Sequence, residues 1–119
     1  PINVGVLPPL LEAIVKPERF DAIKETLSEH EIKGMTITQV IGCGNQKGQV
    51  KYYRGTEFHV NLLPKVKIEI VVHDNKLAEI LKVIEETGKT GNIGDGKIFV
   101  FDCEDVVRIR TGETGDTAL

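Results

Sequence analysis

Apolar positions along the chain change their spacing from segment to segment, and each spacing predicts an element. Leu10 to Lys16 is a short apolar run stopped by Pro17 and predicts a first strand. Pro17 suits the first turn of a helix, where its missing N–H leaves no bond unmade. Residues 18–31 then place Phe20, Ile23 and Leu27 at i, i+3 and i+7 on one helical face. Gly34, just beyond, is the expected C-terminal cap. The alternation from Met35 to Ile41 predicts a second strand. Pro64 to Val72 is the clearest strand: Val66, Ile68, Ile70 and Val72 fall on one face, Lys65, Lys67 and Glu69 on the other. Asp74 is expected to cap a second helix, in which Leu77, Ile80, Leu81 and Ile84 recur at helical spacing before Gly88 ends it. Ile98 to Phe101 reads as a fourth strand and Val106 to Arg110 as a short fifth. Residues 1–9 have neither charge nor period and read as an N-terminal extension to a single domain over residues 10–119.

The order is β-α-β, an excursion from Gly42 to Leu63, then β-α-β. Two such halves, with both helices on one face of a four-stranded antiparallel sheet, make an α+β domain of the ferredoxin-like kind. The excursion shows no strong period, and a loop that long inside a compact domain usually serves a function. Glycines are concentrated in two places. Of the 12 in the chain, Gly42, Gly44, Gly48 and Gly55 lie in the excursion, and Gly88, Gly91, Gly94 and Gly96 lie between the second helix and the next strand. Glycine supplies positive φ and lets a ligand approach the backbone, so two glycine-rich loops on a small scaffold point to a binding site.

Composition narrows the partners. The 119 residues carry 15 basic and 18 acidic side chains, a net charge of −3, which is not the basic balance that nucleic acids attract. With 40% hydrophobic and 28% charged residues, a soluble globular domain is expected. No apolar run approaches the ~18 residues of a membrane-spanning helix. No cationic leader precedes an apolar segment, so a cytoplasmic location is expected. Cys43 and Cys103 form no C-x-x-C pair, and His30, His59 and His73 show no ligand spacing. Two reduced thiols and three surface histidines are the expectation.

Gly91-Asn-Ile-Gly-Asp-Gly96-Lys97 fits G-x-x-x-x-G-K. Position 98, however, is Ile where a P-loop needs a hydroxyl for Mg²⁺, and the segment runs from helix to strand, the reverse of a P-loop. NTPase chemistry is disfavoured, although the loop's N–H groups and Lys97 retain the means to cradle phosphate. Gly42-Cys-Gly44-Asn-Gln-Lys-Gly48 misses the dinucleotide fingerprint by one residue and opens into a loop. Arg108 and Arg110, two apart on the predicted last strand, project from one face. They are read as phosphate ligands joining Lys97, ahead of a plain solvated edge. Lys65, Lys67 and Glu69 default individually to solvent exposure. An RNA-binding use of this fold stacks bases on aromatics of the central strands, and Leu10–Lys16 and Pro64–Val72 contain none. No nucleophile–base pair or carboxylate dyad supports an enzyme class.

Three segments are more specific together than apart: Tyr53-Arg-Gly-Thr-Glu-Phe58, Thr90-Gly-Asn-Ile-Gly-Asp-Gly-Lys-Ile-Phe-Val100 and Arg108-Ile-Arg-Thr-Gly-Glu113. With Lys16-Pro17, Gly34-Met-Thr36, Gln46-Lys-Gly48 and Leu63-Pro-Lys-Val-Lys67, they strongly resemble the P-II nitrogen-regulatory signalling proteins over roughly residues 10–117. The resemblance implies a homotrimer with nucleotide sites in the clefts between subunits. These would take ATP or ADP and, beside ATP, Mg²⁺ and 2-oxoglutarate. It implies a non-catalytic sensor whose long loop docks on target enzymes, transcriptional regulators or an ammonium transporter. Contact with a membrane would come only through such a transporter, and none with nucleic acid directly. A slow ATP hydrolase in the same cleft, acting as a timer, is the alternative.

Residue by residue, the resemblance makes Lys97, Arg108 and Arg110 phosphate ligands, with backbone help from Gly94 and Gly96. Thr36 and Glu69 become adenosine contacts, and Gly42, Gly44 and Asp95 further members of the nucleotide site. Gln46 would complete the Mg²⁺ site and reach 2-oxoglutarate, whose far carboxylate would meet Lys65 beside Gly94. Arg54 would stand at the tip of the partner-binding loop with Tyr53, Gly55, Thr56 and Phe58. The chemistry suits these roles, since a triphosphate needs several cationic donors and Mg²⁺ takes oxygen ligands such as an amide. Three positions depart from the family pattern. Phe58 stands where many bacterial members carry the tyrosine that is uridylylated or adenylylated, and it offers no hydroxyl. Thr56 stands where some members have a phosphorylated serine. Asn45 replaces an arginine that assists the phosphates, which bears on ATP against ADP preference.

Overall fold

In the computed structural model, which describes residues 7–43, 49–53, 56–60 and 62–119, eight main elements follow along the chain. They are β1 (Pro9–Val15), α1 (Pro17–Glu29), β2 (Thr36–Cys43), β3 (Gln49–Tyr53), β4 (Thr56–Val60), β5 (Leu62–Val71), α2 (Leu77–Gly88) and β6 (Gly96–Asp102). β2, β5, β1 and β6 lie side by side in that order as one antiparallel sheet. Strict alternation sends Leu11, Ala13 and Val15 of β1 and Val66, Ile68 and Ile70 of β5 to one face. There α1 lays down Ile23 and Leu27, and α2 lays down Ile80 and Ile84, all buried in one core. Each such side chain stabilises the fold by about 1.5–3 kcal/mol on full burial.

The opposite face carries the polar residues of the same strands and is covered by neither helix. Across it, Thr38, Lys67, Ile14 and Lys97 stand in one row of the ladder, and Thr36, Glu69, Glu12 and Phe99 in another. Phe99 and Phe101 remain 44% and 48% exposed.

Several local expectations are revised. The excursion is not structureless: β2 runs on to Cys43, β5 starts at Leu62, and between them β3 and β4 pair as an antiparallel ribbon from Gln49↔Val60 to Tyr53↔Thr56. Val50, Tyr52, Tyr53, Phe58 and Val60 favour extended backbone, but a clean period of two is demanded only where one sheet face packs on a core. Val106 to Arg110 is not a strand. Only Val107 bridges, to Thr114, and Arg108 and Arg110 ride a turn closed by Arg108 N–H donating to Glu113 O at 2.9 Å and Gly112 N–H donating to Arg108 O at 2.7 Å. Strand periodicity therefore does not set their direction. Asp74 caps nothing with its side chain; it opens a single 3₁₀ turn, Asp74–Lys76, ahead of α2. At the other end of the chain, Pro9 opens β1, and the carbonyls of Pro8 and Pro9 accept from Cys103 and Val72 N–H at 3.0 and 3.1 Å.

Nor does Gly34 cap α1. Glu31 takes the left-handed position at φ 68°, its N–H donating to Ser28 O at 3.1 Å while Ile32 N–H donates to Leu27 O at 2.9 Å. This bond pair closes a helix when the reversing residue is left-handed, and Ile32 packs back on the core. A glutamate there is strained by about 1 kcal/mol relative to glycine. Glu31→Gly is therefore expected to raise stability by about 0.5–1 kcal/mol, because the exposed Glu31–Lys76 pair at 3.2 Å is worth less than the strain. A higher urea midpoint at unchanged slope checks this.

Candidate functional site

The connection from α2 to β6 is held from α1. Arg19 donates from Nε and Nη2 to Thr87 O at 2.9 and 2.6 Å, satisfying one of the carbonyls left free at the end of α2. The loop that follows folds around Asp95. Its Oδ2 accepts from Thr90 N–H at 2.8 Å and Gly91 N–H at 2.9 Å, and its Oδ1 accepts the Thr90 hydroxyl. Lys16 Nζ lies 3.2 Å from Oδ1 and donates to Thr90 Oγ1 at 3.1 Å. The Thr90 hydroxyl bond, against the opposing effect of partial burial, and then the two N–H donors and Lys16 hold the Asp95 carboxyl far below the usual carboxylate range. Gly96, at φ 102°, brings the chain so close to β1 that a Cβ there would stand 1.7 Å from Ile14 O.

Beside this loop lies an open cleft of about 620 Å³, lined among others by Gly42, Cys43, Lys65, Gly94, Lys97 and Phe99. The Lys65 stem runs along Gly42, where a Cβ would meet its Cγ at 3.0 Å, and its Nζ donates to Gly94 O at 2.5 Å. Six residues singled out from the sequence (Gly42, Lys65, Gly94, Asp95, Gly96 and Lys97) thus share one cleft. Two ammonium groups beside a glycine-rich turn are chemistry suited to an anion.

Other expected residues sit elsewhere. Thr36 and Glu69 face each other across β2 and β5, farther along the ladder, with Lys67 Nζ 3.7 Å from Glu69 Oε1. Arg108 lines a second cleft of about 610 Å³ with Lys33, Gly34, His73, Lys76 and Leu119. Its Nη2 donates to Leu119 O at 3.2 Å, and Nη1 lies 3.8 Å from Glu113 Oε1. Arg110 is exposed on the same turn. Within one chain, then, Lys97 and Arg108 line different clefts. Tyr53, Thr56 and Phe58 lie on the ribbon strands, Tyr53 opposite Thr56 and Phe58 opposite Lys51. Gly44, Asn45, Gln46, Arg54 and Gly55 lie outside the described residues.

Lys16, Arg19 and Thr90 support the site without any local sequence signal. Nothing at the first turn of a helix signals a partner so far along the chain. Cys43 and Cys103 are free thiols. His30 Nδ1 lies 2.9 Å from Glu79 and His73 Nδ1 3.5 Å from Asp116, both near the surface. No helix among the described residues is long and apolar enough to cross a membrane.

The family model described as Nitrogen regulatory protein P-II matches residues 9–113. The Nitrogen regulatory protein P-II of Pasteurella multocida is 53% identical over 109 residues, which span 92% of this chain and 97% of that protein. The protein of the same name from Azospirillum brasilense is 51% identical over the same shares of both chains. Among solved structures, Arabidopsis thaliana PII bound to citrate aligns with a TM-score of 0.78 and 37% identity, covering 96% of this chain and 94% of its own.

Proposed function

The chain belongs to the nitrogen regulatory protein P-II family, and on that premise we propose that it is a non-catalytic sensor of adenylate and 2-oxoglutarate that works as a homotrimer. It binds ATP or ADP and, with Mg-ATP, 2-oxoglutarate. Its long loop, with Tyr53, Arg54, Gly55, Thr56 and Phe58, acts on targets such as an ammonium transporter or nitrogen-assimilation enzymes. The protein works in the cytoplasm and meets the membrane only at such a transporter.

The observation that carries this reading is the division of the cationic groups between two clefts of one chain. A triphosphate needs several charged donors at once. Lys97 with the Gly94–Gly96 backbone offers one half of such a site, and Arg108 in the second cleft, with Arg110 exposed on the same turn, offers the other, which supports a site completed by one subunit's first cleft against its neighbour's second. The exposed Phe99 and Phe101 on β6 support the association, since large exposed aromatic side chains are enriched where partners meet. Thr36 and Glu69 then meet the adenosine, and Gly42, Gly44 and Asp95 are further members of the nucleotide site.

The two ammonium groups of the cleft suit anions rather than a metal, so the protein's offer to Mg²⁺ is the Gln46 amide, and phosphate and effector oxygens supply the remainder. An Mg²⁺ ion held there would supply the positive charge that offsets repulsion between the phosphates and a carboxylate effector. Lys65 is free to leave the Gly94 carbonyl for the far carboxylate of a dicarboxylate. That the Arabidopsis relative was crystallised with citrate, a polycarboxylate, supports a carboxylate effector.

In calorimetry, 2-oxoglutarate is expected to bind appreciably with MgATP but not alone or with MgADP. By reciprocity it must tighten ATP binding by the same factor that ATP tightens its own, typically about 5–150-fold. Gln46→Ala is expected to abolish that coupling. Equal binding under all three conditions would overturn the reading.

A further inference from the structure

We propose that Lys16 is a positioning residue of the phosphate-binding loop, acting through Asp95 and Thr90, and that it keeps a carboxylate from opposing the ligand the loop is built to hold. This rests on the reading that the first cleft takes nucleotide phosphates. Asp95 lies between Gly94 and Gly96 and itself lines that cleft. An unneutralised carboxylate there would repel any phosphate. In the structure its acceptor capacity is turned inward: Thr90 and Gly91 N–H, the Thr90 hydroxyl and Lys16 Nζ all engage it. Lys16 is well shielded, its side chain 14% exposed, and it holds both members of the pair, Asp95 Oδ1 at 3.2 Å and Thr90 Oγ1 at 3.1 Å.

The loop has particular need of such a tie. Gly91, Gly94 and Gly96 all stand at positive φ, 87°, 94° and 102°. A segment so rich in glycine loses much backbone freedom on ordering. A loop ordered before the ligand arrives leaves less of that cost to binding. Lys16 immediately precedes α1, and Arg19, one turn later, grips Thr87 at the loop's entry. The start of α1 therefore holds the loop at both ends.

The test uses the full chain with ATP in calorimetry, and amide hydrogen exchange of the ligand-free protein. Lys16→Met should raise the ATP Kd about tenfold, the loss of a hydrogen bond to a charged group, and should deprotect the Thr90 and Gly91 amides. Lys16→Arg, which keeps the charge, should stay near wild type. In an Asp95→Asn background, Lys16→Met should have little effect, because the charge it neutralises is gone; a general packing role would show no such dependence. Thr90→Val serves as a second variant and should deprotect Gly91. Failure of the wild type to bind ATP would defeat the nucleotide reading, whereas exchange would still decide the tie. Unchanged exchange and unchanged affinity in Lys16→Met, or an equal effect of that change with and without Asp95, would overturn the proposal.

Discussion

Gly96→Ala is expected to lower stability by about 3–5 kcal/mol, a large part of the 5–15 kcal/mol that holds a small domain together. Two costs combine. At φ 102° an L-residue is strained by about 1–3 kcal/mol. The heavier cost is steric: the new Cβ would lie 1.7 Å from Ile14 O and 2.8 Å from Ile14 C, which are backbone atoms of the adjoining central strand. A flexible side chain would swing aside, but Ile14 is bound in register to both Lys67 and Lys97 and moves only if β6 separates from β1. Gly112, at φ 72° and with no atom within 4 Å of where a Cβ would stand, isolates the first cost. Gly112→Ala should lose only about 1–2 kcal/mol. Urea denaturation of the two variants checks the account, and equal losses would show that the overlap is relieved without parting the strands.

Lys97→Ala and Arg108→Ala should each weaken ATP binding by about 2–5 kcal/mol, roughly thirtyfold to several thousandfold. On the proposed assignment, each removes one charged donor from the nucleotide phosphates. The division of the two residues between separate clefts gives a sharper consequence. If each site takes Lys97 from one subunit and Arg108 from the next, trimers mixed from the two inactive variants regain an intact site wherever the undamaged halves meet. Calorimetry on a co-refolded mixture should then recover tight sites that neither variant has alone. A mixture as weak as its parents would mean that the two residues do not meet across a subunit boundary.

How much of the fold is legible in the sequence follows from what each segment packs against. β1, β5 and the two helices present one apolar face to a common core, and burial imposes a period that Leu11, Ala13 and Val15, or Ile80 and Ile84, display openly. β3 and β4 pair only with each other among the described residues, so no core wrote a pattern into them. Val106 to Arg110 carries alternating residues but is closed by its own turn bonds, and Ile109, 99% exposed, answers to no core face. The left-handed Glu31 is hidden for another reason: its position is set by the bonds of Ile32 and Glu31 back into α1, not by any preference of glutamate.

The site divides in the same way. The glycine and lysine pattern of residues 91–97 announces an anion loop, because close backbone approach and positive φ restrict residue choice locally. By itself the sequence determined the α+β class, the core faces, the family resemblance and the residues suited to phosphate and carboxylate. Only the tertiary structure decided that Lys65 lies along Gly42 onto Gly94, that Lys16 and Thr90 engage Asp95, and that Arg108 stands in a different cleft from Lys97. Most of those contacts join segments far apart in the chain. Sheet register and helix placement set their distances, and no local pattern of residue types encodes them.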